Sequence, residues 1–279
     1  MIDISDYTST LENREGIFFA QNEKEVSYPK EGNNHCFQIE EDSFWFKHRN
    51  NCIIESVKRL SPNEVFFDIG GGNGYVAKGL EDCGIETVLI EPGIHGCLNA
   101  RKRDLKNVIC STLEYASFHK GSLDSAGMFD VIEHIEDDVA FLSTMHSYLK
   151  SDGLAYITVP AFSFLWSNED NDAGHYRRYT LGQLENKLIS IGFTIEYSTY
   201  IFPVLPFPVF FFRTLPSKLG FNKQSAEIDK HKKEHSSKSG IINKILNRVW
   251  AFELGRIKSG KQFPFGGSCF VVARKIKQN

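Results

Sequence analysis

Across its 279 residues the chain is 41% apolar and 24% charged, a globular composition with room for one large domain, or one domain and an appendage. A formal net charge of -3 argues against a surface built for a nucleic-acid backbone. The polar, acidic opening MIDISDYTSTLENREG lacks signal-peptide character, and no apolar run reaches the ~20 residues of a membrane-spanning helix, so a cytoplasmic location is expected. Cys36, Cys52, Cys83, Cys97, Cys110 and Cys269 form no C-x-x-C pair and make no zinc spacing with His35, which predicts reduced, structural thiols and no metal site.

Residues 1–40 show no strong periodicity. Within them IFFAQ (17–21) and EVSY (25–28) are candidates to pair as two short strands. Residues 40–60 place Phe44, Trp45, His48, Cys52, Ile53, Val57 and Leu60 near helical spacing, and Ser61-Pro62-Asn63 ends the helix. Residues 1–60 therefore read as an N-terminal appendage and cap helix, and 61–279 as the main domain.

The stretch 65–74, VFFDIGGGNG, organises that domain. An apolar run reads as a buried strand, Asp68 closes it, Gly70, Gly71, Gly72 and Gly74 follow, and a helix starts near Tyr75. Strand, glycine turn and helix bring a ligand close to bare backbone at a helix N-terminus. A dinucleotide fingerprint G-x-G-x-x-G from Gly70 and Gly72 needs glycine at 75, where the chain has Tyr75. The second strand ends in Glu91, about 20 residues after the glycines, where a carboxylate can accept from both hydroxyls of a ribose. Strand and helix signals then alternate: strands at 107–110, 122–128 and 154–159, with helices at 94–103 and 137–149. Such alternation predicts an α/β doubly wound, mostly parallel sheet.

The order D-x-G-x-G-x-G at 68–74 resembles the glycine motif of class I S-adenosylmethionine (SAM) methyltransferases. FDVIEHI at 129–135 matches the signature of their type 11/12 subgroup, and GHYRRYT at 174–180 resembles an element of bacterial relatives. The resemblance runs from about 40 to 275 and is sharpest over 65–180. It implies a seven-stranded sheet whose last strand inserts antiparallel, SAM as cofactor, and methyl transfer to a small-molecule or glycan-like acceptor. It further implies that Asp68, Gly70, Gly72, Gly74 and Glu91 bind the cofactor, that Thr112 and Leu113 flank adenine, and that Phe129 covers one cofactor face. Trp45 and Arg49 on the cap helix either reach the methionine end, or serve as core residue and surface ion pair. The D/N-P-P-aromatic clamp of enzymes that methylate nucleic-acid bases is missing from FDVIEH, which disfavours a nucleic-acid substrate.

Residues 161–180 leave the carboxyl end of a central strand, where ligands bind in open α/β sheets. They are rich in polar and aromatic groups, among them Trp166, Asp170, Asp172 and Tyr179. His175 is the first choice as general base, because imidazole titrates near neutrality, and His134 is the second. Arg177 or Arg178 is suited to hold an acceptor anion in a bidentate pair, with Tyr176 and Trp166 as further substrate contacts. Thr180 should cap a helix over 181–191, with Gly192 at its end. The proline-broken apolar run 201–216, within a lid or insertion spanning 200–260, is a lid, a dimer patch or a contact with lipid or a lipid-linked acceptor. Residues 218–238 read as a polar surface excursion, and 241–257 as an amphipathic helix. Readings from other classes are a nicotinamide-dependent oxidoreductase, a non-catalytic SAM-fold binding module and a membrane-docked scaffold.

Overall fold

The computed structural model describes residues 2–20, 37, 39–220 and 240–277. One nine-stranded sheet runs through it in the order β1-β2-β5-β4-β3-β6-β7-β9-β8. The strands are β1 (Leu11–Arg14), β2 (Ile17–Ala20), β3 (Phe66–Ile69), β4 (Thr87–Glu91), β5 (Asn107–Cys110), β6 (Leu123–Phe129), β7 (Leu149–Pro160), β8 (Phe193–Ile201) and β9 (Ser268–Lys275). From β5 to β8 these are the seven expected strands, with β3 to β7 parallel and β9 inserted antiparallel between β7 and β8.

The other two strands extend the sheet. IFFA of the predicted strand does form β2, but its hairpin partner is β1, and β2 then pairs in parallel with β5. EVSY lies outside the described residues, as do 221–238 of the polar excursion. Positive-φ Glu15 and Gly16 make the hairpin turn, a tight link that the sequence reading passed over in favour of a longer one.

Successive strand residues point to opposite faces. Phe67, Met128, Ile157 and Val271 enter one core with helices α4 (Asp138–Tyr148) and α6 (Leu181–Ile191), the short α5 (Asn168–Asp172) lying between them in the chain. Phe66, Phe129, Tyr156, Phe270 and Val272 enter the other, beneath α1 (Phe44–Leu60) and α7 (Gly240–Lys258). The short α2 (Tyr75–Glu81) and α3 (Ile94–Lys102) complete the wrapping around β3 to β5.

A polar tie clamps α1 to α7 inside the second core. His48 Nε2 lies 3.0 Å from a buried Glu253 oxygen, and the other Glu253 oxygen accepts from the Phe202 amide at 2.7 Å. Around it, Phe44 stacks on Trp250 and Trp45 on Phe202. Trp45 is thus packed between α1 and the end of β8, the core alternative of its two readings.

Residues 206–218 coil as a short α turn, a π-helical stretch (Phe210–Thr214) and a second α turn. They pack on the segment after β7: buried Thr214 donates to Leu165 O at 2.9 Å, and Arg213 pairs with Glu169 at 2.6 Å. The other side bears Phe207, Phe211 and Phe212, the last 78% exposed. The five described cysteines are free, and among the described residues no helix is long and apolar enough to cross a membrane.

Thr180 and Gln183 form a reciprocal capping box at the start of α6, and Gly192 takes the left-handed end position. Thr180→Ala should cost about 1 kcal/mol of stability, read as a lowered urea midpoint with an unchanged slope.

Candidate active site

The site lies at the carboxyl ends of β3, β4, β6 and β7, where the strand order reverses direction between β3 and β6. Gly70, Gly72 and Gly74 all adopt positive φ, and Gly74 begins α2. At Gly71 the constraint is space: a Cβ there would stand 2.4 Å from Asp68 Oδ2 and 2.5 Å from Leu89. The loop therefore rests directly on the Asp68 carboxyl. Asp68 is fully buried and neither oxygen has a well-formed hydrogen bond. Burial pushes its pKa up to about 7, against the opposing charge of Arg49 and the Ala77 amide.

Glu91 stands at the lip of β4. Its two oxygens accept from Gly72 N at 3.0 Å and Gly93 N at 2.7 Å, tying the glycine loop to the next loop of the sheet. Glu40, read from the sequence as part of the helix, lies in the turn before α1 and is buried. It accepts from Asn73 in the glycine loop at 3.0 Å and pairs with Arg103 at 2.8 Å. Sequence reasoning missed these three residues, because each is an ordinary polar side chain whose partner is distant in the chain.

Thr112 caps the turn after β5 by accepting from Tyr115 N, whereas Leu113 is buried in the core with Ile90 and Ile109. Phe129 faces the α1 side, stacked on Phe66 at 6.2 Å, and is nearly buried. Thr112 thus lies in the turn at the carboxyl end of β5, and the other two pack into the two cores.

Arg49 is buried and pairs with Asp130, the residue after β6, while its guanidinium lies 4.4 Å from the Trp45 ring centre. Asp130 has φ of +57° and also accepts from Thr158 at 3.2 Å. That pairing turns the next residues into a 3-10 turn, Ile132–His134. Glu133 is 1% exposed, and neither carboxylate oxygen finds a hydrogen-bond partner. Burial and then Asp130 push its pKa well above the carboxylate range.

The segment after β7 meets this turn. Tyr176 N donates to Glu133 O at 2.8 Å, and the rings of His134 and His175 cross edge to face at 4.7 Å. His175 Nδ1 is 2.9 Å from Asp170 Oδ1. Asp170 also takes a two-point contact from Arg178, at 2.7 and 3.0 Å. Burial would raise the Asp170 pKa, but His175 and Arg178 hold it down at about 2. Burial, then the neighbouring His175, lowers that of His134, so its imidazole is neutral at physiological pH. The fold thereby gathers Glu133, His134 and His175, with ligand-capable atoms all within 4.8 Å of one another. The sequence showed no such grouping, since 41 positions separate the two histidines.

Both arginines expected to hold an acceptor anion have internal partners. Arg178 serves Asp170, and Arg177 lies 2.9 Å from Asp138 and donates to Glu136 O. Tyr179 and Lys187 complete the Asp138 cluster. Tyr176 is more than half exposed, and Trp166 donates to Asn171 at 3.0 Å.

A family model described as "Methyltransferase domain" matches residues 45–198. No curated protein matches the chain. Among solved structures, phosphoethanolamine N-methyltransferase 2 of Haemonchus contortus with S-adenosyl-L-methionine is 20% identical, with a TM-score of 0.55 over 90% of this chain and 58% of that one. This chain therefore spans under two thirds of that relative's length. A SAM-dependent methyltransferase of Thermotoga maritima is 18% identical, with a TM-score of 0.54 over 87% and 98% of the two chains. The cyclase SpnF is 17% identical, with a TM-score of 0.51 over 82% of each. At these identities the likeness is one of fold.

The Asp68 carboxyl keeps its proton up to about pH 7 when folded, against an ordinary value of 3.8. Its ionisation therefore subtracts stability as pH rises from about 4 to 7, up to roughly 4 kcal/mol. Asp68→Asn should melt above the parent, by a margin that grows from pH 5 to pH 8 and then levels off. Thermal melts across that range check it, and a margin independent of pH counts against the buried, unpaired carboxyl.

Proposed function

This chain belongs to the methyltransferase-domain family, and from that premise we propose that it transfers the methyl group of SAM to a hydroxyl of a small, polar or glycan-like acceptor. The observation carrying the acceptor assignment is the Asp170–His175–His134 constellation, at the turn whose Val131 packs against Gly70 of the glycine loop.

SAM-dependent methyl transfer follows from the family, and the residues fit the cofactor. The glycine loop presents bare backbone at the start of α2, and Glu91 is held by two amides at the β4 lip, where ribose hydroxyls can meet it. Asp68 works from beneath the loop, shaping it. Arg49 and Asp130 form the floor between the cofactor loop and the acceptor side. When bound, the sulfonium supplies an activated methyl group. The protein's contribution is alignment of acceptor, methyl carbon and sulfur.

A hydroxyl acceptor must also lose a proton. His175, its tautomer set by Asp170, is placed to take it, and the neutral His134 stands next to it. Arg177 and Arg178 reach the acceptor only by shaping the loop. A nicotinamide cofactor fits less well, because Tyr75 occupies the third position of that fingerprint. A binding or cyclase role on the same fold would show SAM binding without turnover.

Residues 206–218 close over the acceptor loop from one side and leave Phe207, Phe211 and Phe212 facing out. We read this as a lid whose outer face suits an acceptor carried on a lipid, at a site the protein visits peripherally.

Calorimetry with S-adenosylhomocysteine, and NAD in parallel, should show micromolar binding of the first alone. Glu91→Ala should weaken it about 10- to 100-fold, the loss of a charge-assisted pair of hydrogen bonds. No binding, or NAD in its place, overturns the assignment. Phe211→Ser/Phe212→Ser should leave that affinity unchanged and lower co-sedimentation with anionic vesicles; equal co-sedimentation removes the lipid reading.

A further inference from the structure

We propose that Glu133, His134 and His175 form a binding site for a divalent transition-metal ion that in turn binds the acceptor's hydroxyl. This inference rests on the acceptor site described above and names how that site activates its substrate.

Three observations converge. The first is the orphaned carboxylate. Glu133 is all but fully buried with both oxygens unpartnered, a costly arrangement that a cation relieves. The second is the orientation of the imidazoles. His175 Nδ1 is engaged by Asp170, which leaves its Nε2 to ligate, and the His134 ring crosses that of His175 edge to face at 4.7 Å. A carboxylate on the other ring nitrogen is how metal-bound histidines are oriented. The third is distance. The donor atoms lie within 4.8 Å of one another, and small side-chain rotations bring them to the ~3.3 Å separation expected around one ion with bonds of about 2 Å. The Tyr176 N–Glu133 O hydrogen bond fixes the two contributing segments relative to each other.

Two imidazoles and one carboxylate suit zinc, cobalt, manganese or iron rather than magnesium, and three protein ligands leave positions open for a substrate. The chemistry balances without a further reactant. The acceptor O–H binds the ion and loses its proton to solvent. The oxygen then forms the O–C bond while the C–S bond breaks, its electron pair staying on sulfur to give the neutral thioether. With the ion in place the histidines are ligands, and the ion's charge does the work assigned to His175 in its absence.

A second group, His48, Cys52 and Glu253, is enclosed between α1 and α7. All three of its residues are buried, and Glu253 already holds the Phe202 amide and His48.

The test is a titration of chelator-stripped protein with Co2+ and then Zn2+, followed by visible absorption and calorimetry, with S-adenosylhomocysteine affinity measured on the same samples. One equivalent of Co2+ should bind with a ligand-field band, and Zn2+ should displace it. Glu133→Gln and His175→Ala should each lower the affinity by at least about 100-fold, beyond the usual effect of an outer-shell change, while S-adenosylhomocysteine affinity stays within threefold. Retained cofactor binding shows that a variant is folded, and if Glu133→Gln fails that check His175→Ala decides. No stoichiometric Co2+, or a band that survives both variants and vanishes in Cys52→Ser, overturns the proposal. Cofactor binding without the ion refutes the metal site and leaves the methyltransferase reading standing; the ion without cofactor binding does the reverse.

Discussion

A single buried guanidinium holds this site together. Arg49 projects from α1 onto the carboxyl ends of the central strands and pairs there with Asp130. Its charge also favours the ionised forms of Asp68, Glu133 and Glu40. Four acids in one low-dielectric region would otherwise repel one another and resist ionisation. Burying an arginine is costly unless its partners are fixed. Here the partners come from the glycine strand, the end of β6 and the entry to α1. Docking of α1 and assembly of the site are therefore one event, secured from behind by the His48–Glu253 tie to α7.

The glycine loop is over-determined in the same sense. From below, the Asp68 carboxyl leaves no room for a side chain at Gly71. From the side, Glu91 takes the Gly72 amide. From the cap Glu40, and from α3 Asn99, engage Asn73. Three anchors on one short turn fix its backbone before any ligand arrives, and preorganisation of this kind lowers the ordering cost of binding.

Much of this was legible in the chain itself. The strand–helix alternation around the glycine loop, the capping of α6 by Thr180 and the helix over 241–257 follow from patterns that span a few neighbouring residues, whereas the seven-strand count and the antiparallel final strand follow from the resemblance to class I SAM methyltransferases. Asp68, Glu91, His134 and His175 stand in motifs of the same local kind. What escaped was set by partners far away in sequence. The β1–β2 hairpin docks on β5, nearly 90 residues later. Arg177 and Arg178 look like free anion-binding groups in the string GHYRRYT, yet Asp138 and Asp170 claim them. Leu113 and Phe129 sit where a cofactor contact is expected; Leu113, in the turn after β5, packs into one core and Phe129, at the end of β6, packs into the other. Local patterns determine which elements form; the charges that end up adjacent depend on how those elements close.

The fate of the two arginines bears on the acceptor. Arg178 takes both oxygens of Asp170, and that carboxylate orients His175. Arg177 joins Lys187 and Tyr179 around Asp138 at the start of α4. Each cation is therefore committed to holding the loop that carries the histidine. Recruiting either to an acceptor anion would break a buried or half-buried pair and release the loop. On the proposed reading, recognition falls to Tyr176 and Trp166 in the same loop and to Phe162 at its start, which stacks on Phe164 and Phe265. Rings with a few hydrogen-bonding edges suit a hydroxylated, weakly charged surface such as a sugar face or a phenol better than a phosphate or carboxylate. On the proposed reading the reacting atom of such an acceptor is a neutral hydroxyl, and the Glu133–His134–His175 cluster is where it would be activated as a nucleophile.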